Sequence, residues 1–261
     1  MKSNIAPVRL DVSKARESLR QALETDSLTL VPDPRRHLVQ AYHPDGSLSH
    51  ALRLPLPWPP LPAAADDLAV YLDQTDDAFD PYLIMLVQVG AAAIGYFEDG
   101  EPVLHKAVKK YMKRHGQGRS QIHYLNSRGK SKAGSRVRLA NTVAFFEEIN
   151  ERLGDWMDSF EVGRILYSCT PQLWGLLFAS RTEPPFAKTD PRLLKIPTHV
   201  HIPDHAELLR INRFAQYGWL LGALPPEESP DEAAAARHDT SEAITDDGDD
   251  YDNDYDHYYD A

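Results

Sequence analysis

Residues 82–89 read Tyr-Leu-Ile-Met-Leu-Val-Gln-Val, an almost unbroken apolar run. A strand of that kind is covered on both faces, so it belongs inside a sheet sandwiched between layers. That one requirement points to an α/β fold and organises its neighbours. Residues 92–98 follow after a short turn, and Glu98-Asp99-Gly100-Glu101 supplies the next turn before residues 102–112, giving a three-stranded meander. Ser135 is placed to cap a helix over 136–153, with Leu139, Val143, Phe146, Ile149 and Leu153 on one face and Gly154 as its stop. Residues 164–168 form a short strand. Thr170-Pro171 opens a helix to about 180. Residues 195–202 alternate as a strand, with Ile196, Thr198, Val200 and Ile202 on one side. Asp204 with Glu207 starts a last helix to about 217. The order β-β-β-α-β-α-β-α predicts a mixed five-stranded sheet with flanking helices.

The first 80 residues are less patterned. Residues 12–23 suit an amphipathic helix, and 39–54 a hairpin around Pro44-Asp45-Gly46. The segment 55–62, Pro-Leu-Pro-Trp-Pro-Pro-Leu-Pro, reads as a stiff connector rather than a docking motif. Three segments follow: an N-terminal region over 1–80, a main domain over 81–225, and an acidic tail over 226–261.

Charge divides the chain unevenly. The net charge is −11, yet residues 226–261 hold 14 Asp/Glu against Arg237 alone, leaving 25 acids and 27 bases in residues 1–225. The tail cannot bury enough apolar surface to offset ordering, and it is expected to be disordered. A solubilising role is preferred over an intramolecular competitor in which Tyr251, Tyr255, Tyr258 and Tyr259 imitate stacked bases. The single Cys excludes a disulfide scaffold and multi-cysteine metal centres, and no apolar run is long enough to span a bilayer. A cytoplasmic protein, monomeric when free and away from membranes, is expected.

Within the main domain, residues 105–138 carry 11 Lys/Arg and no Asp or Glu. They are Lys106, Lys109, Lys110, Lys113, Arg114, Arg119, Arg128, Lys130, Lys132, Arg136 and Arg138. A one-sign run beside a near-neutral remainder calls for a polyanionic partner. Engagement of half these cations predicts a log–log salt slope on the order of −4. Between 114 and 135 the apolar content falls to little more than Ile122, Tyr124 and Leu125, with Gly116, Gly118, Gly129 and Gly134 interspersed. This predicts a long mobile loop, functional by the usual behaviour of such loops, with an idle basic linker as the competing reading. His123 and Tyr124 are candidates for base stacking, against ordinary loop packing.

The loop contains Gln117-Gly118-Arg119-Ser120-Gln121. A glutamine amide donates and accepts at once but does not titrate, which suits holding a water while proton transfer is handled elsewhere. The longer string from His105 to Leu153 resembles the catalytic region of the Vms-one-like release-factor family. That family includes the eukaryotic ankyrin-repeat and zinc-finger peptidyl-tRNA hydrolases and smaller bacterial relatives. The resemblance covers about 80–220 and is densest over 105–153. It implies a release-factor-like domain of ribonuclease-H type acting on stalled large ribosomal subunits, with ribosomal RNA and peptidyl-tRNA as partners and no cofactor. The family's catalytic glutamine matches Gln121, and residues 117–120 its loop. Arg119 stands where some members have a second glycine, and the ankyrin repeats and zinc finger are absent from this sequence. Eukaryotic members cut tRNA near its 3′ end, so a tRNA endonuclease stays open beside a peptidyl-tRNA hydrolase, as does a non-catalytic ribosome-binding module.

His199, His201 and His205 are weak metal candidates, and solvent-facing polar residues are the preferred reading. Cys169 stands before a helix N-terminus that could lower its thiol pKa, though a small buried residue is the preferred assignment.

Overall fold

The computed structural model describes residues 6–110 and 133–222, with the backbone alone over 133–139. Two five-stranded sheets and five α-helices make up these residues. The elements are β1 (Val8–Leu10), α1 (Val12–Leu23), β2 (Thr29–Asp33), β3 (Leu38–Tyr42), β4 (Leu48–Arg53), α2 (Leu68–Asp73), β5 (Tyr82–Gln88), β6 (Ala91–Glu98), β7 (Glu101–Lys109), α3 (Ala133–Ser159), β8 (Arg164–Ser168), α4 (Pro171–Phe178), β9 (Leu193–Lys195), α5 (His205–Ala215) and β10 (Gly218–Leu221).

The mixed sheet has the order β7-β6-β5-β8-β9. β5, β6 and β7 form the antiparallel meander, while β8 runs parallel to β5 and β9 parallel to β8. The apolar run is the central strand, and Tyr82 through Val87 are buried. Its alternate residues feed two cores. Leu83, Met85 and Val87 meet α3 and α4, whereas Tyr82, Ile84 and Leu86 meet α5. On the α5 side the backbone of β6 is approached closely at Gly95, where a Cβ would lie 2.8 Å from Leu208 and from Phe97. Asn212 anchors α5 further by donating to the Gly100 carbonyl at 2.8 Å and accepting from the Tyr82 hydroxyl at 2.5 Å.

Four local expectations give way to packing. α3 runs through Gly154 to Ser159, because Trp156 and Met157 beyond it still reach the core, offsetting the roughly 1 kcal/mol cost of a helical glycine. At the other end α3 begins at Ala133, so Ser135 lies inside the helix rather than at its cap. Val143 is 40% exposed, and the buried stripe is Phe145, Phe146, Ile149, Leu153 and Trp156. Residues 196–202 are not a strand. β9 stops at Lys195, Pro197 and Pro203 lack the N–H a ladder needs, and the segment crosses the sheet end with Ile196 and Val200 buried and Ile202 exposed. The predicted capping residues act as caps: Thr170 accepts from the Leu173 N–H, and Asp204 from the Glu207 N–H.

The second sheet, β1-β10-β4-β3-β2, is antiparallel throughout. β10 inserts between β1 and β4, so the end of the described chain completes the N-terminal sheet. One face packs on α1 and α2 through Leu10, Val39, Leu52 and Leu54, joined by Trp58 and Leu61 of the proline-rich segment. Arg164 at the start of β8 is 2% exposed and donates to the carbonyls of Leu56 and Pro191 and to His37 Nδ1. Since guanidinium only donates, Nδ1 must accept, and Nε2–H of His37 donates to the Pro55 carbonyl at 3.1 Å.

Candidate functional site

β5, β7, β8 and β9 point the same way, so their C-terminal ends share one rim of the mixed sheet. Open α/β sheets place ligands at such a rim. The basic run enters the structure there. Lys109 is the last residue of β7, paired in register with Ala91, and the Lys110 N–H donates to the Gly90 carbonyl at 2.9 Å. The turn into β6 demands a positive φ at Gly90, which is +79°.

The pleat of β7 sends alternate lysines to opposite faces. Lys106 and Lys110 face α3, where both meet Glu148 at 3.4 and 2.9 Å. The hydrogen bond from Lys110, reinforced by Lys106, holds the Glu148 carboxyl below the usual carboxylate range. Lys109 is exposed and lies on the face shared with His105, whose ring packs on His205 at 4.0 Å. β7 is an edge strand, so both faces open to the same rim. Glu148 is a member of this site that sequence reasoning missed. It lies ten residues beyond the acid-free run, and only the packing of α3 on β7 brings it back.

Arg136 and Arg138 fall on the first turns of α3. Burial among the described side chains of α3 begins at Phe145. At 1.5 Å per residue the two arginines stand about 10–14 Å upstream of that first core contact. Lys113, Arg114, Gln117, Gly118, Arg119, Ser120, Gln121, His123, Tyr124, Arg128, Lys130 and Lys132 lie outside the described residues. That stretch is flanked by residue 110, one past the end of the edge strand, and by residue 133, the start of the long helix. The acidic tail likewise lies outside the described residues.

The other candidates are resolved by their surroundings. His201 follows the sheet rim in the 196–204 crossing, with its main-chain carbonyl accepting from the Gln88 side chain at 2.9 Å. Its Nδ1 is 3.3 Å from the Glu207 carboxylate, which is also gripped by Arg210 at 2.6 Å. Arg210 above all, with His201, pulls the Glu207 carboxyl down to about 2. His205 instead packs on His105, so the three histidines do not converge, and no group of three potential ligands occurs among the described residues. Cys169 is half-buried, and burial pushes its thiol up to about 12, opposite to activation by the α4 N-terminus. No helix among the described residues is long and apolar enough to cross a membrane.

Residues 82–217 match the family model described as bVLRF1, the Bacteroidetes VLRF1 release factor. That stretch takes in the whole mixed sheet, α3 to α5 and the basic run. No curated protein matches. Among solved structures, the Vms1 mitochondrial localization core is similar at 13% identity and a TM-score of 0.41, with 83% of this chain and 82% of that chain covered.

Proposed function

The chain belongs to the Bacteroidetes VLRF1 release factor family, and from that premise we propose that it frees nascent peptide from peptidyl-tRNA on stalled large ribosomal subunits. The observation that carries this reading is the family match over 82–217, which spans the acid-free basic run. The mixed sheet and its helices, within the 81–225 segment and apart from β10, are read as a release-factor-like catalytic domain of ribonuclease-H type. The segment between β7 and α3 then serves as the catalytic loop. Lys106, Lys109, Lys110, Arg136 and Arg138, which flank it in sequence, and Lys113, Arg114, Arg119, Arg128, Lys130 and Lys132 within it are the residues assigned to RNA phosphate.

The chemistry asked of Gln121 is modest. Water attacks the ester carbonyl that joins peptide to the tRNA 3′ ribose. A C–O bond forms to that water, the ester C–O bond breaks, and the ribose hydroxyl leaves with a proton. An amide that accepts from the water and donates to a neighbouring oxygen aligns this attack without exchanging a proton itself. Residues 117–120 position it.

Incubating the purified chain with stalled complexes carrying labelled peptidyl-tRNA, and resolving the products on a gel, tests the reading. Free peptide with an intact tRNA 3′ end is the expected result. A tRNA shortened at its terminus would assign endonuclease chemistry instead. Binding without either product would reduce the chain to a ribosome-binding module.

A further inference from the structure

We infer that the face of the N-terminal sheet opposite α1 and α2 carries an oxyanion site, built on Arg53 and Trp219, whose occupant is a backbone phosphate of RNA. Arg53, the last residue of β4, is 8% exposed. Its Nε is buried and finds no hydrogen-bond acceptor among the described residues. Directly opposite on β10 stands Trp219, whose indole Nε1 is buried and equally without an acceptor. Directly opposed residues of neighbouring strands share a face, so the two unpartnered donors lie on one side of the sheet, beside the apolar cluster of Leu38, Ala51 and Leu221. Arg16, Trp58, Asn150 and Ser180 also hold buried unpartnered atoms, but no two of these are opposed across a ladder.

Charge strengthens the case. Arg164 is as deeply buried, yet two carbonyls and an imidazole accept from it. Arg53 has no such set, and its charged neighbour is another cation, Arg36. Burial first, then Arg36, lowers the Arg53 guanidinium to about 10. A buried donor left without an acceptor is costly to fold around, and an anion would supply the acceptor that Arg53 Nε lacks. Arg9 continues the row, being opposed to Trp219 on β1, and its guanidinium lies 4.4 Å above the Tyr217 ring.

The set contains donors and positive charge only, so its ligand is an acceptor with at least two oxygens. The half-exposed faces of Trp219 and Tyr217 beside these cations favour a nucleotide phosphate over a carboxylate, since rings and guanidinium groups together hold unpaired nucleotides. That choice rests on the RNA-directed reading under Proposed function.

The full chain is melted in inorganic phosphate and in chloride of equal ionic strength, alongside Arg53→Met and Trp219→Phe. A short single-stranded RNA is then titrated by fluorescence anisotropy over a range of salt. Phosphate is expected to raise the wild-type Tm by several degrees above chloride. Arg53→Met is expected to melt no lower than wild type in chloride and to lose the phosphate increment. It should bind the oligonucleotide about threefold to tenfold more weakly, with a salt slope shallower by about one. Trp219→Phe keeps the ring but removes one donor, so it should reduce the increment even if Arg53→Met fails to fold. Absence of a phosphate increment in the wild type overturns the site. An increment without any change in oligonucleotide affinity for the variants also overturns the RNA assignment, leaving free phosphate as the ligand. Failure of peptide release in the stalled-ribosome assay, with both Arg53 responses intact, would instead count against the proposed function alone.

Discussion

Glu148 is the carboxylate that the basic run meets, and replacing it with Gln tests how that run is held for RNA. Its partners are 2.9 Å away at Lys110 and 3.4 Å at Lys106, with all three side chains between 29% and 40% exposed. Pairs this open to water contribute about 0.2–1 kcal/mol each, so Glu148→Gln should lower fold stability by less than about 2 kcal/mol. Its larger effect is on binding. Two lysines that share one carboxylate become free to face phosphate, and each added phosphate contact steepens the log–log salt dependence by about 0.9. Removing the competing carboxylate is worth about 0.7–1.4 kcal/mol, a threefold to tenfold gain in affinity near 0.1 M salt. Fluorescence anisotropy with a labelled tRNA over a series of KCl concentrations measures both quantities. Weaker binding with a shallower slope in Glu148→Gln would refute the reasoning and make the carboxylate a support for the lysines.

Other consequences follow from the packing. Phe145→Ala should cost about 3–5 kcal/mol in urea unfolding, because Phe145 is fully buried against the sheet. Val143→Ala, on the opposite side of α3, should stay within about 0.5 kcal/mol, and equal losses would show the helix face to be wrongly assigned. His37 is held neutral by burial first and by Arg164 second, which puts its folded pKa well below 6.5. The unfolded chain therefore takes up a proton below about pH 6.5 that the folded chain refuses. Stability is full above that pH and falls as pH drops, by up to about 1.4 kcal/mol per unit from this group. Urea midpoints from pH 7.5 to 5 should show the decline in wild type and a smaller one in His37→Gln; identical profiles would contradict it.

The mixed sheet was legible because its signals are local. An apolar run names the central strand, polar turns punctuate the meander, and Thr170 and Asp204 announce helices with short-range hydrogen bonds. What escaped depends on distant partners. β10 pairs Leu220 with Val8 and with Leu52, contacts that no window of neighbouring residues contains. The alternation of Ile196 to Ile202 looked like a strand because it places apolar residues at every second position. Ile196 still donates its N–H to the Tyr167 carbonyl at 2.8 Å, but Pro197 interrupts the ladder and the chain beyond it is a crossing segment. Propensity alone makes Gly154 a helix stop, against which the burial of Trp156 decides. The pairing of Glu148 with the lysines, and the meeting of Arg53 with Trp219, arise from tertiary juxtaposition and have no linear signature.

The amide of Gln121 is proposed to align the water that attacks the peptidyl-tRNA ester. Its most direct test is a single-turnover peptide-release rate on stalled large subunits, with wild type and Gln121→Ala both added to saturation. The account predicts a rate at least a hundredfold lower for Gln121→Ala, a loss of about 2.7 kcal/mol in transition-state stabilisation, with unchanged ribosome affinity. Release at the wild-type rate by Gln121→Ala would contradict it.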